Sequence, residues 1–359
     1  MIYKLIRPLL FRGDSETWHE RMIFLGRLIG YTPLTKIIGC WYSVNDPRLT
    51  VRAFGLTFKN PVGLAAGFDK NAVLLDFLPS LGFGYAEAGG ITLLPQPGNP
   101  KPRIFRLPAD RALINRLGFN NDGAGEVSLR LAKRPSNFIV GINIAKNRNT
   151  PQGDAWMDYA RTFSAVCEAV DYVAINVSSP NTPGLRELQE KKELSKILEN
   201  IQALNKRLPR PKPVLLKISF ELTEAQLDDI LQVSKKYTIS GIIVTNTVHS
   251  RDGLRTDAAT VRAIGEGGLS GAPLQKRSNE MIRTIFRKSG GRLPIVGVGG
   301  IFSAEDAYEK IKAGACLVQV YTGFTYEGPS IAKKINKGLL KLLARDGFSS
   351  VQEAVGKNS

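Results

Sequence analysis

Cysteine and histidine are scarce: three cysteines and two histidines in 359 residues. Cys40, Cys167 and Cys316 lie far apart, with no C-x-x-C spacing. That excludes a disulfide framework and a standard zinc site, and it fits a reducing cytosolic compartment. His19 and His249 are equally isolated, which argues against a histidine triad or a histidine-rich metal centre. No metal is expected, so the chemistry must rest on Lys, Ser, Asn or Thr side chains, or on a cofactor. Long apolar runs are missing from the N-terminal region. A spanning helix needs about 20 mostly apolar residues, and charges interrupt both apolar stretches there. Nor is there a signal peptide, since no clean apolar segment with a small-residue cleavage site is present. Acidic charge is in deficit, with Asp+Glu 32 against Lys+Arg 49 and a formal net charge of +17. Such an excess favours anionic partners: nucleic acid, an anionic lipid face or an acidic substrate. The basic residues are spread along the chain without a dense block or an RNP-type motif, so no nucleic-acid partner is expected.

What is present is a rhythm. Eight short apolar segments recur, each closed by Gly, Asn, Thr, Ser or an apolar residue beside one: 61–67, 85–92, 138–144, 172–178, 213–219, 241–247, 294–301 and 317–323. Amphipathic helical patterns separate them over 155–170, 187–208, 223–237, 273–288, 303–313 and 329–343. Strands alternating with helices mean parallel βαβ units. Eight such strands over roughly 260 residues predict an α/β fold, a (β/α)8 TIM barrel. A doubly wound sheet is disfavoured because no glycine-rich dinucleotide turn follows the first strand. Before the barrel, residues 1–30 read as two amphipathic helices, with Ile2, Leu5, Ile6, Leu9 and Leu10 and then Trp18, Met22, Leu25, Leu28 and Ile29 as their stripes. This pair either packs on its own domain or lies on a membrane with its basic residues towards lipid phosphates. Residues 31–60 read as a linker and a small hairpin around Gly55. The expected division is an N-terminal helical hairpin (1–40), the barrel (41–345) and a C-terminal tail (346–359). Two intervals, 93–137 and the one between strands six and seven, are long for a compact domain, and their Pro, Gly and aromatic content suggests function.

The strand C-termini form one face of such a barrel, and they are polar together. They offer Lys70, Asn143, Lys146, Asn176, Ser179, Lys217 and the run Thr245-Asn-Thr247. Gly299-Gly300 and Tyr321-Thr-Gly323 close strands seven and eight, where barrels bind phosphate on bare N–H groups and a helix N-terminus. Ser303 is the expected cap of that helix. A phosphate site with asparagines and lysines suits FMN: a lysine can stabilise charge at the flavin N1–O2 side and amides can bind its pyrimidine edge.

These residues resemble the dihydroorotate dehydrogenases, specifically the quinone-dependent, membrane-associated class. The likeness rests on Ala65-Ala-Gly-Phe-Asp-Lys70, Gln96-Pro-Gly-Asn99, Asn115–Asn121, Gly141–Lys146, Asn176–Arg186, Thr245-Asn-Thr247, Gly267-Gly-Leu-Ser-Gly271 and Gly297-Val-Gly-Gly300. It runs from the N-terminal helices to about residue 345, and the Asn176–Arg186 and Gly267–Gly271 loops together are its most specific part. The resemblance implies that dihydroorotate loses a proton from C5 to a serine, here Ser179, and a hydride from C6 to flavin N5. Thr182 and Phe119 would flank the proton relay. Lys70, Asn115, Arg116, Leu117, Gly118, Phe119, Asn176, Asn181, Asn246 and Thr247 match the substrate segment. Ala66, Gly67, Phe68, Asp69, Lys70, Gly90, Asn143, Asn176, Lys217, Thr245, Ser270, Gly271, Gly300, Tyr321 and Thr322 match the FMN segment, with one FMN per chain. Gly90 departs from the family pattern, which has a Thr there, so no side-chain hydroxyl is offered.

The resemblance also implies that the N-terminal helices admit a membrane quinone, ubiquinone or menaquinone, from an anionic lipid surface. His19 and Arg103 match positions near that channel, although spacing alone would leave His19 on the surface. The implied location is peripheral, on the cytoplasmic face of a bacterial inner membrane. Removing residues 1–30 is then expected to spare flavin reduction and impair quinone turnover. Competing readings are a soluble FMN barrel using fumarate or NAD, which would carry Cys at position 179, and a non-enzymatic basic barrel binding RNA or lipid.

Overall fold

The computed structural model describes residues 2–359; Met1 and the side chain of Ile2 lie outside the described residues. The strands are β1 (Val51–Ala53), β2 (Leu56–Phe58), β3 (Val62–Leu64), β4 (Tyr85–Ile91), β5 (Ile104–Leu107), β6 (Ala112–Asn115), β7 (Ile139–Ile144), β8 (Tyr172–Asn176), β9 (Val214–Ile218), β10 (Gly241–Val244), β11 (Gly268–Gly271), β12 (Ile295–Val298) and β13 (Leu317–Val320). The helices are α1 (Ile2–Arg12), α2 (Ser15–Gly30), α3 (Leu34–Tyr42), α4 (Gly123–Leu131), α5 (Ala155–Val166), α6 (Lys191–Asn205), α7 (Glu224–Lys236), α8 (Ala258–Ile264), α9 (Gln275–Lys288), α10 (Ala304–Lys312), α11 (Thr322–Glu327), α12 (Ile331–Asp346) and α13 (Val351–Ala354).

β3, β4, β7, β8, β9, β10, β12 and β13 close into a parallel barrel, each strand within one of the eight apolar segments. Strands covered by helices outside and side chains inside are buried on both faces, which is why they read as continuous apolar runs. The interior is filled by large against small. A Cβ on Gly63 would lie 2.3 Å from the Tyr85 ring, and one on Gly141 2.0 Å from the Tyr172 ring, so each tyrosine lies over a neighbouring strand's glycine. The β1–β2 hairpin turns through Phe54 and Gly55, both at positive φ, as a two-residue hairpin turn requires. Phe58 is fully buried against Tyr85 at the N-terminal end of the barrel. Ser303 caps α10 as expected: its hydroxyl accepts from Asp306 N while the Asp306 carboxylate accepts from Ser303 N.

Three features differ from the sequence reading. Residues 31–60 are not an open linker, because α3 follows Pro33. Its nine residues hold β-branched side chains and Gly39, which blur the helical pattern. The two long intervals meet each other. β5 and β6 form an antiparallel pair, and β11 adds to β6, making a three-stranded cap over the barrel's C-terminal mouth. The β6–β11 pairing joins four-residue strands whose partners lie some 150 positions apart, which leaves little local signal. Finally, residues 346–359 are not a loose tail. Val351 and Ala354 of α13 are buried, and Asn358 N donates to Lys312 O.

Candidate active site

The barrel mouth and its cap enclose one cleft of about 1000 Å³, open mouth included. Four groups of predicted residues converge there. From strand ends come Ala66, Gly67, Lys70, Gly90, Asn143, Asn176 and Lys217, with Thr245, Asn246 and Thr247 after β10. Gly300, Tyr321 and Thr322 follow β12 and β13. From the cap come Asn115, Leu117, Gly118 and Phe119 with Ser270 and Gly271, and from the loop after β8 come Ser179 and Asn181.

The asparagines are wired together. Asn143 Nδ2 donates to Glu87 (2.8 Å), Asn176 Nδ2 to Asn143 Oδ1 (2.9 Å), and Asn246 Nδ2 to Asn176 Oδ1 (3.3 Å) and Ser178 Oγ (3.0 Å). Across the cleft Asn181 Nδ2 donates to Asn115 Oδ1 at 3.2 Å, joining loop to cap. Ser179 Oγ accepts from Asn181 N at 3.3 Å. Ser179 also borders a second, open pocket formed by the loop's own residues, among them Thr182 and Arg186. Thr182 is therefore beside Ser179 but outside the main cleft.

Lysine protonation follows burial. Desolvation pulls the Lys70 pKa down to about 8, with Glu16 opposing and Arg103 assisting. Lys217 is lowered by burial and held up by the Glu87 charge. Asp69 does not face the cleft. Its carboxylate accepts from Val73 N and Leu74 N, fixing the turn that carries Lys70, and burial raises its pKa. Phe119 adopts φ +56, unusual for a bulky residue. Asn121 Nδ2 holds its carbonyl at 2.7 Å. A Cβ on Gly90 would come within 2.8 Å of the Phe119 ring, so the glycine is what lets that ring close on β4.

Other predicted residues lie elsewhere. Phe68 turns its ring to His19, Tyr321 and Phe324. Arg116, the residue after β6, points away from the cleft that Asn115 lines, over Phe105 and towards the carbonyls of Ile264 and Glu266. His19 is half-buried, with its ring turned inward. Its Nε2 is 3.0 Å from Phe68 O, and burial together with Lys70 lowers its pKa to about 3, so the ring is neutral and Nε2–H donates. Arg103 is buried against Glu16. Sequence reasoning missed Glu87 and Gln319, deep in the barrel. Glu87 accepts from Asn143, Tyr172 OH (3.1 Å) and Gln319 Nε2 (2.9 Å). The available signal was a charged residue in the middle of an otherwise apolar strand.

The cleft fits a flavin phosphate ester. Gly67, Gly271, Gly299 and Gly300 all have positive φ, and a Cβ on Gly300 would strike Gln275 at 2.5 Å, so bare backbone lines this end. Among the described residues Gln319 Oε1 is a buried acceptor without a partner, and the Lys217 amine lines the same cleft.

Eleven of the thirteen large apolar side chains that stand exposed among the described residues lie between Leu5 and Trp41. No helix there is long and apolar enough to cross a membrane. Two of the basic residues read as lipid-facing also serve the protein: Lys4 pairs with Glu327 at 3.2 Å and Arg7 donates to Tyr326 O at 2.9 Å.

The family model described as dihydroorotate dehydrogenase matches residues 48–343. A protein of Natronomonas pharaonis named dihydroorotate dehydrogenase (quinone) is 51% identical over 356 residues, covering 99% of each chain. One of the same name from Roseiflexus sp. strain RS-1 is 50% identical over 357 residues, covering 99% of this chain and 98% of its own. The crystal structure of the Eimeria tenella DHODH in complex with ferulenol superposes with a TM-score of 0.88 at 37% identity, covering 96% of both chains. With four-fifths of its length inside the family model and full-length relatives at half identity, the chain belongs to the dihydroorotate dehydrogenase family.

Proposed function

We propose that this chain oxidises dihydroorotate to orotate in pyrimidine biosynthesis, with FMN as its flavin and a membrane quinone as the final electron acceptor. The observation that carries this reading is one cleft with two chemically distinct halves. Lys217, Gln319, Asn143, Thr245 and the glycine-lined end would hold FMN, its phosphate against Gly271, Gly300 and Thr322. Lys70, Asn115, Asn176, Asn181, Asn246 and Thr247 would hold the substrate, whose carboxylate and ring carbonyls want a cation and amide donors. When bound, FMN supplies the hydride acceptor. Ser179 stands at the seam and takes the proton from C5, and the cavity it shares with Thr182 is the way out for that proton. Phe119 closes the cleft beside Gly90 and keeps water from the reacting carbons.

The apolar face of α1–α3 supports peripheral attachment at the cytoplasmic face of a membrane, with the quinone entering beside His19 and Phe68. The test is the anaerobic visible spectrum of the purified protein. Dihydroorotate should bleach the flavin band and a quinone analogue should restore it. A protein that holds no flavin when FMN is supplied would overturn the reading; bleaching without recovery would overturn the acceptor alone.

Lys70 gives this reading a pH dependence. Its ammonium is present below a pKa of about 8 and is lost above it. The KM for dihydroorotate is therefore expected to be level in the acidic range and to climb above pH 8, by up to about ten-fold per unit. The reductive half-reaction, followed by stopped flow across this range, checks it. A KM that stays level well above pH 8 would remove Lys70 from carboxylate binding.

A further inference from the structure

Arg103 has few donors left for any ligand. Its Nε lies 3.0 Å from both Glu16 oxygens and its Nη2 2.7 Å from one of them. Its Nη1 donates to Pro97 O and Asn99 O, both at 2.7 Å. Both side chains are buried, Glu16 at 4% exposure and Arg103 at 6%. Glu16 is in the first turn of α2, whereas residues 97–99 belong to the barrel's cap. That loop leads directly to the substrate half of the cleft. Asn99 N donates to Leu117 O at 3.0 Å, and Asn99 Nδ2 reaches Arg116 O at 2.8 Å and Asn181 O at 3.4 Å. Arg116 N in turn donates to Arg103 O at 2.9 Å. Gly98 makes the stacking possible: a Cβ there would be 2.8 Å from Arg103 Nη1 and 2.3 Å from Leu117 O.

We infer that Glu16 and Arg103 are positioning residues for substrate binding: through residues 97–99, the N-terminal helix α2 holds the segments carrying Asn115, Leu117 and Asn181 in place. The chain of contacts is continuous and every link is polar and directional. A buried arginine that loses its carboxylate keeps its charge but not its anchor, and its two carbonyl partners loosen with it. The N-terminal helices are then not a detachable quinone module. Removing residues 1–30 weakens substrate binding as well as quinone turnover, contrary to the expectation from sequence. This inference rests on the assignment of Asn115 and Asn181 to the substrate.

The test uses the full-length, flavin-loaded protein and Glu16→Gln, which keeps shape and removes charge. Amide hydrogen exchange reads the linkage without reference to function. Exchange at Gly98 and Asn99 and over residues 115–118 should quicken about ten-fold while the barrel strands hold. Exchange unchanged there would overturn the inference. Orotate titration, followed by the flavin band, reads the consequence. The dissociation constant should rise about ten-fold while the maximal rate of flavin reduction at saturating dihydroorotate stays within about two-fold. A dissociation constant within about two-fold of the parent's would also overturn it. If Glu16→Gln does not accumulate folded, Asn99→Ala decides on the same two readouts, because it removes the side-chain bonds from residue 99 to Arg116 O and Asn181 O, together with the one residue 99 accepts from Arg148. A parent that exchanges as described but binds no orotate would sink the assigned function and leave the linkage standing.

Discussion

Ser179→Ala is expected to keep its flavin and bind orotate close to normally, yet to lose most of its rate of flavin reduction by dihydroorotate. A positioned general base contributes about 10²–10⁴-fold. Among the residues lining the cleft and the second pocket, Ser179 is the one they share. A serine hydroxyl is a poor base at neutral pH, and two features help it. Asn181 N–H is directed at its oxygen and stabilises developing negative charge. The Arg186 guanidinium borders the second pocket, with Nε and Nη2 lacking a partner among the described residues, while its Nη1 pairs with Glu221. Anaerobic stopped flow at saturating substrate makes the measurement. A Ser179→Ala rate within a few-fold of the parent's would transfer the base to another group; loss of orotate binding would show that the side chain holds the loop and does not move the proton.

The parts of this site that could be read from sequence are those whose chemistry is contiguous. Asn176, Ser179, Asn181 and Thr182 lie within seven positions of one loop, and strand ends such as Lys217 and Thr245 follow from the apolar rhythm that defines the barrel. What escaped was built from distant pairs. Glu16 and Arg103 are 87 positions apart, and Glu87 and Asn143 are 56 apart. Neither partner announces the other, since a lone Glu or Arg reads as solvated surface until the fold buries it. The cap sheet escaped for the same reason, with β6 and β11 meeting only after the barrel brings their loops together. Arg116 shows the converse. Its backbone belongs to the predicted segment, but its guanidinium is drawn to the far side by the carbonyls of Ile264 and Glu266.

Glu87 carries the largest structural effect outside the substrate residues. It is fully buried and accepts hydrogen bonds from Asn143, Tyr172 and Gln319, on three other strands of the barrel. Glu87→Leu leaves all three donors unpaired. At about 1–3 kcal/mol for each buried unsatisfied donor, the loss approaches the total stability of many domains, roughly 5–15 kcal/mol. Leu at this position is therefore expected to abolish recovery of folded protein. Glu87→Gln keeps the shape and most of the bonds. Its oxygen can accept from Asn143, and its amide can donate to the Tyr172 hydroxyl, which can turn to accept. What Gln removes is the charge, and the group that feels it is Lys217. Burial already lowers the Lys217 pKa and Glu87 opposes that shift, so without Glu87 the ammonium is lost at lower pH. FMN affinity in Glu87→Gln should match the parent's under mildly acidic conditions and fall behind it as pH rises, by about ten-fold or more once Lys217 is neutral. Fluorescence titration of the apoprotein with FMN over a pH series reads this directly. Parallel curves for parent and variant would show that Glu87 acts only by packing and hydrogen bonding, with no electrostatic hold on the flavin lysine.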